Sequence, residues 1–76
     1  MYEVFFGFED DMMFLNEFHT IEEAKAYIDS DCKSIAELNG IESEVKPGGS
    51  SFKCWGRTFK VVCSLDEMRW SIVESK

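Results

Sequence analysis

The chain has 76 residues, a net charge of −7, and 45% hydrophobic and 14% aromatic residues. A length in this range makes one domain, 1–76, and an apolar fraction of that size excludes a disordered chain despite the charge. A core this small leaves little room for a water-excluding cleft, no apolar run approaches the roughly 20 residues of a membrane helix, and enzymatic activity is not expected.

Tyr2 to Glu9 is predicted as a strand, because Tyr2, Val4, Phe6 and Phe8 alternate with Glu3, Phe5, Gly7 and Glu9 at the two-residue period of a pleat. Glu9-Asp10-Asp11 breaks the pattern as a turn. Met12 to Phe18 then returns as a second strand, so the segment reads as a hairpin.

Thr20 opens a helix. Thr20-Ile21-Glu22-Glu23 is a capping box, in which the Thr20 hydroxyl accepts from the Glu23 amide and the Glu23 carboxylate reaches back to the Thr20 amide. Ile21, Ala24, Ile28, Cys32, Ile35 and Leu38 follow at steps of three or four, which is one helical face. Asn39-Gly40 is the stop, with Gly40 as a left-handed cap. Asp29-Ser30-Asp31 groups three poor helix formers, and the alternative is a kink or split there.

Ile41 to Lys46 is a link or a short edge strand, and Pro47 to Ser51 reads as a flexible loop. Phe52 to Trp55 is a strand interrupted by Gly56. Thr58 to Ser64 is the next, with Phe59, Val61 and Cys63 on one side and Lys60 and Val62 on the other. Leu65-Asp66-Glu67 turns the chain into a last strand, where Met68, Trp70 and Ile72 alternate with Arg69, Ser71 and Val73. The expected fold is α+β: an antiparallel sheet of four to five strands, in β-β-α-β-β order, with one helix packed on one face.

Charge is unevenly placed. Residues 1–44 hold twelve acids against two bases, whereas residues 45–76 hold three acids against six bases. The first part repels nucleic acid and anionic membrane and attracts basic surfaces. Glu22, Asp29 and Glu37 belong to the solvent side of the helix, flanked by Glu23 and Asp31, and the hairpin turn adds Glu9, Asp10 and Asp11. These eight acids are the candidate partner-binding residues, against the plainer view that they only solubilise.

Apolar residues are in surplus on the first hairpin. Phe5 is opposite in parity to its apolar neighbours, and Met13 and Leu15 are opposite to Met12, Phe14 and Phe18. These three are candidates for an apolar interface, including a homodimer, unless a bulge or loop covers them. Lys53, Trp55, Arg57, Lys60, Arg69 and Trp70 interleave basic and aromatic residues, as a single-strand nucleic-acid platform does. Net charge opposes that reading, and the parity of Trp70 with Met68 and Ile72 puts it in the core.

Cys32, Cys54, Cys63 and the single His19 have no grouping into ligand pairs, so zinc is not expected. Three consecutive acids cannot all converge on one divalent ion, so a metal at Glu9-Asp10-Asp11 is not expected either. No cofactor is implied. The odd cysteine count and the start Met-Tyr-Glu-Val-Phe-Phe fit a reducing, cytoplasmic setting.

In length, in the acidity of its first part and in element order, with Glu9-Asp10-Asp11 and Thr20 to Glu44 carrying the likeness over about half the chain, the sequence resembles small phage-encoded inhibitors, including anti-CRISPR and other anti-defence proteins. The resemblance is one of kind and not of motif. It implies a protein that occupies a basic surface of a host nucleic-acid-handling complex, acting in the host cytoplasm. No functional residue carries over from it.

Overall fold

The computed structural model describes residues 1–8 and 11–75. The predicted turn at Glu9 and Asp10 lies outside the described residues. Six strands and one helix follow in the order β1 (Tyr2–Phe8), β2 (Asp11–Phe18), α1 (Ile21–Leu38), β3 (Val45–Pro47), β4 (Ser51–Cys54), β5 (Arg57–Leu65) and β6 (Met68–Glu74), with a 3-10 turn at Glu42–Glu44. They form one antiparallel sheet in the order β2-β1-β6-β5-β3, with β4 also pairing with β5. The α+β class is as predicted. The strand count is six and not four to five.

The sixth strand is β3, at the sheet edge, where the sequence allows either a link or a short edge strand. Pro47 lies opposite Cys63 and Ser51 lies opposite Lys60, so Gly48, Gly49 and Ser50 face only Val61 and Val62. Gly48 and Gly49 donate to the carbonyls of Val62 and Val61, and Val61 donates back to Ser50. The Gly-Ser stretch is therefore a bulged link between β3 and β4 whose backbone is bonded to β5, not a free loop. A Cβ at Gly48 would run into the Val61 carbonyl, which explains the glycine.

Two further bulges decide which side chains face the helix. Val4 pairs with Asn16 but Phe5 pairs with Phe14, so Leu15 is the extra residue of β2 and turns to the helix side. Val61 pairs with Ser71 but Cys63 pairs with Trp70, so Val62 is the extra residue of β5. The predicted parity set of Phe59, Val61 and Cys63 is split by this bulge. Phe59 and Val61 face away from the helix, and Cys63 faces it.

The main core lies between α1 and the sheet. Ala24, Ile28, Cys32 and Ala36 of the helix meet Val4, Cys63, Leu65, Trp70 and Ile72. Trp70 is fully buried, as its parity predicts. The helix is continuous through Asp29-Ser30-Asp31 and is not split there. Ile28 and Cys32 anchor either side of that triplet in the core, Lys33 pairs with Asp29 at 3.1 Å, and the Trp70 indole donates to Asp31 at 2.8 Å. Tertiary packing overrides weak local propensity here.

The helix ends are as predicted with one difference. Thr20 Oγ1 accepts from the Glu23 amide at 3.2 Å, but the Glu23 carboxylate accepts from the Thr20 hydroxyl instead of reaching the Thr20 amide. At the other end Gly40 has φ +67°, and the Ile41 amide bonds to the Ala36 carbonyl while the Gly40 amide bonds to that of Glu37, which is a Schellman stop. No helix among the described residues is long and apolar enough to cross a membrane.

Candidate binding surfaces

The first surface is the outer face of α1. Glu22, Glu23, Asp29 and Glu37 are all exposed. Glu22, Asp29 and Glu37 share one stripe, at intervals of about 10–12 Å along the axis. Lys33 stands in the same stripe and is tied to Asp29. Asp31 differs from the others: it is half-buried at the helix flank, and its carboxylate holds the Trp70 indole. Asp11 is exposed at the start of β2, on a different element from the helical acids, while Glu9 and Asp10 lie outside the described residues. The 3-10 turn adds exposed Glu42 and Glu44 beyond the helix C-terminus, two acids that their charge alone did not single out.

The second surface is the sheet face turned away from the helix. Among the described residues no secondary-structure element covers it, yet Phe59 is fully buried there. Rings do the covering. Phe52 stacks on Phe59 with centroids 5.2 Å apart, and Phe5 and Trp55 meet it edge-on at 5.1 and 5.9 Å. Phe14 packs on Phe5 at 5.6 Å, and Met12 and Val73 complete this smaller core. Offset and edge-on ring pairs stabilise by about 0.5–1.5 kcal/mol beyond area burial. Phe5 is thus buried by rings on this face, and Leu15 is half-buried against the helix side. Of the three predicted interface residues only Met13 is exposed, on the opposite side of the sheet.

What this face presents to solvent is Trp55 and Phe14, 60% and 51% exposed. Trp55 and Gly56 are the two central residues of the β4–β5 turn, with φ +54° and +71°, so the turn is of the type I′ kind that favours Asn-Gly. Left-handed geometry costs a side-chain-bearing residue about 1–2 kcal/mol. A tryptophan there is a poor choice for the turn, which is the kind of local conflict that collects at working surfaces.

Charges frame the rings. Arg57 makes a double hydrogen bond and ion pair with Glu3, and this bond, with the carboxylate's charge behind it, raises the guanidinium pKa further above its ordinary value. Arg69 lies over the Phe52 ring, 4.1 Å from its centroid. Lys53 alternates with Phe52 and Cys54 and so points to the other side of β4. The structure therefore puts Trp55 with Arg57 and Arg69, and separates Lys53, Lys60 and Trp70 from them.

Lys60 instead joins Lys25 at an open groove of about 620 Å³ between the start of α1 and the link from β3 to β4. Among the described residues no group of three or more His, Cys, Asp or Glu side chains could hold a metal ion. Cys32 and Cys63 meet in the main core, where burial pushes the Cys63 thiol up to about 12 and the hydrogen bond to Cys32 adds to the shift.

These features define a class: a one-helix, six-stranded antiparallel α+β domain with an acidic helix on one side and a ring-covered sheet on the other. Comparison with protein-family models, curated proteins and solved structures finds no match to the chain.

Proposed function

We propose that this protein is a non-catalytic binding module that docks a basic protein surface through the outer face of α1 and the acidic residues of the first hairpin. One observation carries the reading: Glu22, Glu23, Asp29 and Glu37 are exposed together along one continuous helix, in a chain whose net charge is −7. Such a face speeds encounter with a basic partner and repels polyanions, with an effect that weakens as salt screens it over about 8–10 Å.

A module of this kind serves most simply as an inhibitor of a host defence or nucleic-acid-handling complex, competing for the basic surface that the complex offers to its substrate. The carboxylates act through their combined field. Intervals of about 10–12 Å are much wider than the phosphate spacing of a strand, so the match to nucleic acid is one of charge and not of phosphate-by-phosphate position. Pull-down from lysate at low and high salt tests this, with recovery of a partner that is lost as salt rises as the expected result. Retention unaffected by salt contradicts it.

Trp55 favours a second reading, a platform for single-stranded nucleic acid. Trp55 is 60% exposed, and its indole meets the Phe5 ring, against which Phe14 and the Arg57 guanidinium also lie. The Glu3 carboxylate offsets the Arg57 charge, which weakens the phosphate side of such a site. Absence of any tryptophan fluorescence change with oligonucleotides at low salt removes this reading. A homodimer through the same rings has less support: the exposed parts of Trp55 and Phe14 come to about 200–250 Å², against about 800 Å² per partner in a stable interface.

A further inference from the structure

Cys32 and Cys63 are both buried, one on α1 and the other on β5, with their Sγ atoms 2.8 Å apart. That separation is well inside ordinary non-bonded packing, about 3.5–4.0 Å between carbons, so the two sulfurs can join with a small movement to the covalent S–S length of about 2.05 Å. The bulge at Val62 creates the meeting. Without the extra residue Cys63 would follow Phe59 and Val61 onto the face away from the helix, and no thiol pair would exist.

We propose that Cys32 and Cys63 are a convertible dithiol–disulfide pair, oxidised by low-molecular-weight disulfides of the glutathione class. The Cys32 thiolate attacks one sulfur of the disulfide. A mixed disulfide forms, the reagent's S–S bond breaks, and the leaving thiolate takes up a proton. The Cys63 thiolate then attacks the Cys32 sulfur, the Cys32–Cys63 bond forms, and a second small thiol leaves. The protein loses two electrons and two protons, and one small disulfide becomes two thiols.

Burial sets the rate. Neither sulfur is open to a reagent in the closed fold, and the raised Cys63 pKa keeps that thiol protonated. Exchange therefore runs while α1 is lifted from the sheet or before it docks, where both thiols can ionise, and docking then buries the finished Cys32–Cys63 bond. In a reducing compartment the pair rests as two thiols. Under oxidant load it fastens the helix to the sheet across a separation of 31 residues.

The test uses the Cys54→Ser chain and the wild type, each equilibrated in glutathione buffers from fully reduced to fully oxidised. Each is then alkylated in denaturant and weighed intact. The expected product in oxidising buffer is a chain lighter by two hydrogens, with a linked Cys32–Cys63 peptide after digestion. Its Tm should be higher by about 10–20 °C, in line with loop-closure entropy, and should fall back with dithiothreitol. The Cys63→Ala chain should show no such rise. Full alkylation of both core cysteines in oxidising buffer, separate glutathione adducts on each, or a link through Cys54 in place of this one would overturn the proposal. The mass readout needs no variant to fold.

Discussion

The indole N–H of Trp70 donates to the Asp31 carboxylate across 2.8 Å, joining the last strand to the middle of the helix. This bond makes Asp31 a structural residue within an otherwise exposed run of acids. Asp31→Ala strands the indole N–H in the core and should lower stability by about 1–3 kcal/mol in urea denaturation, the usual effect of leaving a buried donor unpaired. Asp31→Asn keeps an acceptor and should lower it by less than about 1 kcal/mol. Equal losses for both would show that charge, not the hydrogen bond, is what matters.

Thr20 closes the helix N-terminus by accepting from the Glu23 amide. Thr20→Ala should destabilise the domain by about 1 kcal/mol, and Thr20→Ser by much less. Thermal unfolding of the two variants side by side distinguishes the cap from a general effect of substitution at this position.

Ser71 is fully buried, and its hydroxyl has no hydrogen-bond partner among the described residues. Removing an unpaired buried polar group is neutral or favourable. Ser71→Ala should leave stability unchanged or raise it by up to about 1 kcal/mol. A loss larger than that would reveal a partner for the hydroxyl.

Cys63 sets a pH dependence in reducing buffer. Its thiol ionises near 9.0 when unperturbed and near 12 in the fold, so between those values the unfolded chain holds fewer protons. The unfolded state is then favoured as pH rises. The contribution of Cys63 is complete below about pH 9 and is lost progressively towards pH 12. Denaturation at pH 8 and pH 10.5 should show a larger drop for the wild type than for Cys63→Val. Equal drops would contradict the assigned burial of the thiol.

Much of the fold is legible in the sequence where a period runs unbroken. Alternation in β1 and β6, and the steps from Ile21 to Ile35 in α1, give type and inward face together. What periodicity cannot see is a bulge. Leu15 and Val62 each flip the residues beyond them, so parity alone misassigns Cys63. The Gly-Ser stretch reads as a loop by composition because its order comes from backbone bonds to β5, which no side chain records. Trp55 hides its turn by occupying a place where asparagine is expected. The exposed acids Glu22, Glu23, Asp29 and Glu37 follow from helical spacing. Asp31 and Phe5 do not, because Trp70 and Phe59 reach them only through the tertiary fold.

In the proposed binding mode the acidic face of α1 makes the contact. The direct measurement is binding of a partner captured at low salt, compared between the wild type, Glu22→Gln/Asp29→Asn/Glu37→Gln and Phe14→Ala. These three exposed acids carry little of the fold, and the triple variant should keep its stability within about 1 kcal/mol. It should lose most of its affinity and its salt dependence, while Phe14→Ala should bind nearly as the wild type does. Undiminished binding by the triple variant together with loss in Phe14→Ala would contradict the account and move the working surface to the ring-covered face.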